Sequence, residues 1–99
     1  MVECEVPPIE LPKEAEIVVL GRAGPAIPGH IISLSETEIA VESTVDAPVN
    51  SPVRIRWDTH VALGEVLEVH NRGTSRVTRV SLHHFMDVTA AAEASTYWS

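Results

Sequence analysis

Residues 53–58, Val-Arg-Ile-Arg-Trp-Asp, alternate strictly between apolar and charged side chains. A period of two puts Val53, Ile55 and Trp57 on one face and Arg54, Arg56 and Asp58 on the other. That is the pattern of a strand with one buried and one wet face. Such a strand has to be completed by others, and the chain supplies them. Residues 16–20 (EIVVL) are a short run rich in β-branched side chains, and 30–35 (HIISLS) and 38–43 (EIAVES) read the same way. Residues 60–70 (HVALGEVLEVH) form a longer strand whose alternation slips near Gly64, which predicts a bulge or sharp bend there. Residues 76–85 (RVTRVSLHHF) are the return strand, with Thr78, Val80 and Leu82 on one face.

The intervening segments carry turn chemistry. Residues 21–29 (GRAGPAIPG) and 44–52 (TVDAPVNSP) are dense in Gly, Pro or Asn and read as loops. Residues 71–75 hold a hairpin turn in which Gly73 supplies a positive φ. Residues 35–38 (SETE) join two strands without Gly, Asn or Pro, so Ser33 and Ser35 are expected to build that turn through bonds to the local backbone. Six short strands with turns between them predict an all-β fold: a small six-stranded antiparallel barrel, whose closure removes exposed edges. The expected organisation is an extended, proline-rich lead-in over 1–13, a barrel over 14–86, and a short helix or tail over 87–99. The tail is alanine-rich, and Asp87 or Thr89 is able to cap the helix.

Ninety-nine residues fit one domain, and an apolar share of 44% is enough for a core. Only Trp57, Phe85, Tyr97 and Trp98 are aromatic, so the core has to be mostly aliphatic. One cysteine, Cys4, excludes an internal disulfide and a four-cysteine metal site. The acidic, proline-rich start lacks the basic and apolar regions of a signal peptide, and no apolar run is long enough to span a bilayer. These features predict a cytoplasmic protein without membrane insertion. A formal charge of −7 argues against nucleic-acid polymers. Residues 1–50 hold two basic and nine acidic residues, net −7, whereas residues 51–99 hold five arginines and five acids, net 0. An anion- or partner-binding surface is therefore expected from the second half, among Arg54, Arg56, Arg72 and Arg76. The competing reading of these arginines is a solvated sheet face.

No phosphate-cradling glycine loop, zinc-protease signature, CxxC pair or nucleophile elbow is present. His83 and His84 are adjacent on a predicted strand and should point to opposite faces. His60 and His70 lie at opposite ends of another. No catalytic residue, metal ligand or cofactor is expected.

Over residues 14–86 this layout resembles the PilZ domains, bacterial receptors for cyclic di-GMP. The likeness rests on an apolar first strand followed by a glycine and on a second strand ending in a Ser-x-Ser turn. It also rests on the element P-x-x-x-P-V-R-I-x-W, on LGEVLEV, and on the closing RVSLHHF. The resemblance implies a barrel with a C-terminal helix and a ligand site made of two motifs. One is R-x-x-x-R before the first strand, whose guanidiniums grip phosphate and stack on guanine. The other is [D/N]-x-S-x-x-G on the turn after the second strand. The turn motif falls on Ser33, Ser35 and Glu38: the serine is kept, the acidic or amide position is Ser33, and the glycine position is Glu38. The first motif is missing, since no arginine precedes Arg22. A literal R-x-x-x-R, Arg72-Gly73-Thr74-Ser75-Arg76, lies across a late hairpin instead. The resemblance thus implies a regulatory or protein-interaction domain that has lost standard cyclic di-GMP binding. The expected partner is a protein reached through the arginine face or the Tyr97-Trp98 tail, with a second copy of the chain as another candidate. The alternative is a receptor for cyclic di-GMP, or another anionic nucleotide, through a non-standard arginine site.

Overall fold

The computed structural model describes residues 10–21 and 24–87. They form six strands: β1 (Lys13–Val19), β2 (Ile27–Leu34), β3 (Glu38–Ser43), β4 (Pro52–Trp57), β5 (His60–Arg72) and β6 (Ser75–Asp87). All neighbours are antiparallel, and the strands close into a barrel in the order β1-β2-β3-β6-β5-β4. The expected all-β barrel of six strands is what forms. Among the described residues there is no helix. The short helix expected in the tail, and the Tyr97-Trp98 surface, lie outside them beyond Asp87, which itself closes β6. No helix among the described residues is long and apolar enough to cross a membrane.

Alternation decides which side chains enter the barrel. Ala15 and Ile17 from β1, Ile31 from β2, Ile39 and Val41 from β3, and Val53, Ile55 and Trp57 from β4 are buried, with Val66 and Val80 completing the aliphatic core. Strand β2 begins at Ile27, earlier than its proline suggests. Pro28 is tolerated because β3 reaches only Gly29, so Pro28 has a strand partner on the β1 side alone.

The slip expected near Gly64 is a bulge: Leu63 pairs with His84 but Gly64 pairs with Leu82, leaving His83 as the extra residue. A second irregularity between Val66 and Glu68 leaves Leu67 unopposed and 42% exposed. The bulge also alters the reading of the adjacent histidines. His83 and His84 do not divide between an inner and an outer face, and both are exposed.

The hairpin turns use left-handed backbone where the chemistry tolerates it. Gly73 (φ 63°) turns β5 into β6 and Asp58 (φ 49°) turns β4 into β5. The segment 44–51 between β3 and β4 is a loop, as expected, yet it carries core: Val45 and Ala47 are buried. It is held by the Val45 N–H bond to the Ser43 hydroxyl (3.2 Å) and by two bonds to Val66. In these the Asn50 N–H donates to the Val66 carbonyl (2.7 Å) and the Val66 N–H to the Ser51 carbonyl (2.9 Å).

Candidate functional site

The turn between β2 and β3 answers how a chain reverses there without glycine. The Ser35 N–H donates to the Glu38 carbonyl at 2.9 Å. The Ser35 hydroxyl accepts from the Thr37 N–H (3.3 Å) and the Glu38 N–H (3.0 Å), and lies 3.3 Å from the Glu38 carbonyl oxygen, to which it donates. No residue of 35–38 has a positive φ, so glycine is not required. Ser33 takes no part in these bonds. It sits just past the β2 bulge, exposed, opposite Ala40.

Glu38 points into an ion network on the outer face of β3, β6 and β5. Its carboxylate meets the Arg79 guanidinium at 2.5 Å, and Arg79 also pairs with Glu68, which in turn holds the His70 Nε2 at 2.5 Å. The register explains the geometry: Glu68 is the direct partner of Arg79 across β5–β6, while Ala40 is its partner on β3 and places Glu38 on the diagonal. The hydrogen bond to His70 holds the Glu68 carboxyl below its ordinary value near 4.5, helped by the His70 and Arg79 charges and opposed by partial burial. The Glu38 hydrogen bond and charge, with Glu68, push the Arg79 pKa up. This network was not legible in the sequence. A six-residue turn motif draws attention to Glu38, but nothing local names its partner 41 residues away.

The four second-half arginines expected to form a binding surface, Arg54, Arg56, Arg72 and Arg76, separate into two places. Arg54 and Arg56 are exposed on β4, two residues apart and so about 7 Å from one another. Neither has an ion-pair or hydrogen-bond partner among the described residues. Arg72 and Arg76 lie at the tip of the β5–β6 hairpin, about 30 Å along β5 from the residue that Arg54 opposes. Arg72 pairs with Ser75 and Asn71 with Arg76, so consecutive pairs put the two arginines on opposite faces of the hairpin. Arg76 donates to the Thr44 carbonyl at 3.1 Å, and Ser75 donates to the Arg72 carbonyl at 3.2 Å. The literal R-x-x-x-R is therefore split between the two faces of the hairpin tip.

A groove of about 930 Å³ crosses the outer face of β4, β1, β2 and β3. Its charged lining is Glu14 and Glu16 on β1, His30 on β2, Glu42 on β3 and Arg56 on β4. Lys13 and Asp58, paired at 2.9 Å, close one end. Apart from Arg56, these residues were not singled out by sequence reasoning. The only available signal was the acidic excess of the first half, because the groove exists only once four strands are laid side by side. Among the described residues no group of three His, Cys, Asp or Glu side chains is placed to hold a metal ion.

No protein-family model matches the chain, and no curated protein matches it.

Proposed function

We propose that this chain is a PilZ-like regulatory domain of bacterial signalling that works in the cytoplasm by binding a protein partner, without catalysis. In this reading it has lost standard cyclic di-GMP binding. The observation that carries the reading is the Glu38–Arg79 pair. At the position where the family motif needs a bare glycine, this chain has a carboxylate engaged by a guanidinium of its own barrel. A dianionic ligand meets negative charge there, and the cation that would offset it is already engaged. The sequence before β1 adds to this. Residues 1–12 contain no arginine, and Lys13 is paired with Asp58. The closed six-stranded barrel and the serine-built turn support the resemblance in fold.

Calorimetric titration with cyclic di-GMP tests the reading. The expected result is no heat of binding at ligand concentrations well above micromolar. Micromolar binding overturns it. The unpartnered Arg54 and Arg56 favour the second reading, a non-standard arginine site. In that case the heat disappears in an Arg54→Ala/Arg56→Ala variant and persists in Arg72→Ala/Arg76→Ala.

A further inference from the structure

Strands β5 and β6 hold 13 residues each, against six to eight in the other four, so their hairpin overhangs its neighbours. Strand β4 pairs with β5 only as far as Glu65, and the loop adds Asn50 and Ser51 against Val66. Beyond them, residues 68–72 pair with β6 on one side and have no strand partner on the other among the described residues. At the opposite end β6 outruns β3, but the His83 bulge interrupts that edge. The ladder tells which groups the β5 edge presents. The Leu82 N–H donates to the Thr37 carbonyl, so Leu82 turns its backbone groups to β3, and by alternation so do Val80, Thr78 and Arg76. Their β5 partners Val66, Val69 and Asn71 therefore turn away from β6. Val66 does so visibly, in its bonds to Asn50 and Ser51. Val69 and Asn71 direct an N–H and a carbonyl each along the open edge. Leu67, 42% exposed, and Val49, 53% exposed and next to Asn50, flank its start. Arg72 ends it, with no ion-pair or side-chain hydrogen-bond partner among the described residues.

We propose that this edge pairs with the same edge of a second copy of the chain, antiparallel, about a twofold axis at His70. The inference goes beyond the reading of function above and does not depend on it. The edge carries its own complement, since an acid and a base stand symmetrically about His70. In this register Glu68 lies opposite the partner's Arg72, and Arg72 opposite the partner's Glu68. Val69 lies opposite the partner's Asn71, and each exchanges its N–H and carbonyl with the other. Sliding the pairing by two residues either way keeps backbone bonds but loses both Glu–Arg pairs. Glu68 already meets Arg79 and His70, and a carboxylate has acceptor sites for one more guanidinium. Leu67 falls opposite the partner's Gly73, around which a methyl group would meet nothing within 4 Å. Only a short strand is paired, so the dimer is weak, with a dissociation constant of about 100 μM.

Sedimentation equilibrium of the full chain, from about 10 μM to about 1 mM, is expected to show a monomer–dimer equilibrium. Arg72→Glu sets like charges opposite each other on both sides of the axis and weakens the dimer about 10-fold. Arg54→Glu makes the same charge change on β4 and leaves the dimer unchanged. Asn71→Pro removes an outward N–H that β6 does not use, and abolishes the dimer. Urea unfolding shows whether each variant keeps the parent fold. Should Asn71→Pro fail to fold, hydrogen exchange of the parent carries the test: the Val69 and Asn71 amides exchange more slowly as protein concentration rises. A chain that stays monomeric at about 1 mM overturns the inference, and so does a dimer that Arg72→Glu leaves intact. Val69 and Asn71 amides protected equally at every concentration also overturn it, because the edge is then covered by the chain itself. Cyclic di-GMP binding in calorimetry bears on the reading of function alone.

Discussion

Gly64 and Ser81 approach so closely across the β5–β6 bulge that a methyl group on residue 64 would lie 1.8 Å from the Ser81 carbonyl oxygen. The side chain of Val80 would stand 2.8 Å away. Neither neighbour is the free end of a flexible chain, so the strands have to separate to admit any Cβ. Gly64→Ala is expected to cost at least about 2 kcal/mol, read as a lower urea midpoint with an unchanged slope. A loss below about 0.5 kcal/mol would place the bulge elsewhere.

The serine-built turn gives a paired test. Ser35→Ala removes the hydroxyl that accepts from the Thr37 and Glu38 N–H groups, and should cost about 1 kcal/mol in urea unfolding. Ser33→Ala, on an exposed residue outside that set of bonds, should stay within about 0.5 kcal/mol of the parent. Equal losses would mean that Ser33 shares the work of the turn.

Much of this architecture was legible because its signals are local. Val53, Ile55 and Trp57 alternate with charges, Gly73 marks its hairpin, and the broken alternation around Gly64 announces a bulge that the register then shows. What was not legible depends on which strands become neighbours. The pairing of β3 with β6 brings Arg79 to Glu38, and the pairing of β1, β2 and β3 lines up Glu14, His30 and Glu42. Neither follows from spacing within a strand. Burial of Val45 and Ala47 escaped notice for a related reason, since a segment with two prolines reads as solvent-facing until the barrel end it covers is known.

Acid should act on the network through Glu68. Its carboxyl pKa is lowered in the folded chain, chiefly by the His70 hydrogen bond. A group whose folded pKa is depressed contributes stability above its unfolded value and loses it as pH falls through the folded one. The contribution is therefore expected intact above about pH 5 and fading below the ordinary value near 4.5. Urea midpoints measured from pH 6 down to pH 3 should fall more steeply for the parent than for Glu68→Gln. A ¹³C titration should find the Glu68 carboxyl moved upward in His70→Ala. Parallel slopes and an unmoved carboxyl would show that the His70 contact does not form in solution.

Among the described residues, one hydroxyl of the barrel interior works against stability. Thr78 is fully buried, opposite Val41 on β3 and Val69 on β5, and its Oγ1 has no hydrogen-bond partner. A buried hydroxyl left unsatisfied keeps its desolvation cost, whereas a methyl of similar size adds apolar contact. Thr78→Val should therefore stabilise the domain by about 1 kcal/mol, raising Tm by about 4–8 °C in a chain of this size. Thr78→Ser, which keeps the hydroxyl and deletes the methyl, should lower stability by about 1 kcal/mol. If Thr78→Val is destabilising instead, the hydroxyl is bonded to an internal water in solution. The β3–β6–β5 wall would then be built around that water rather than around apolar contact alone.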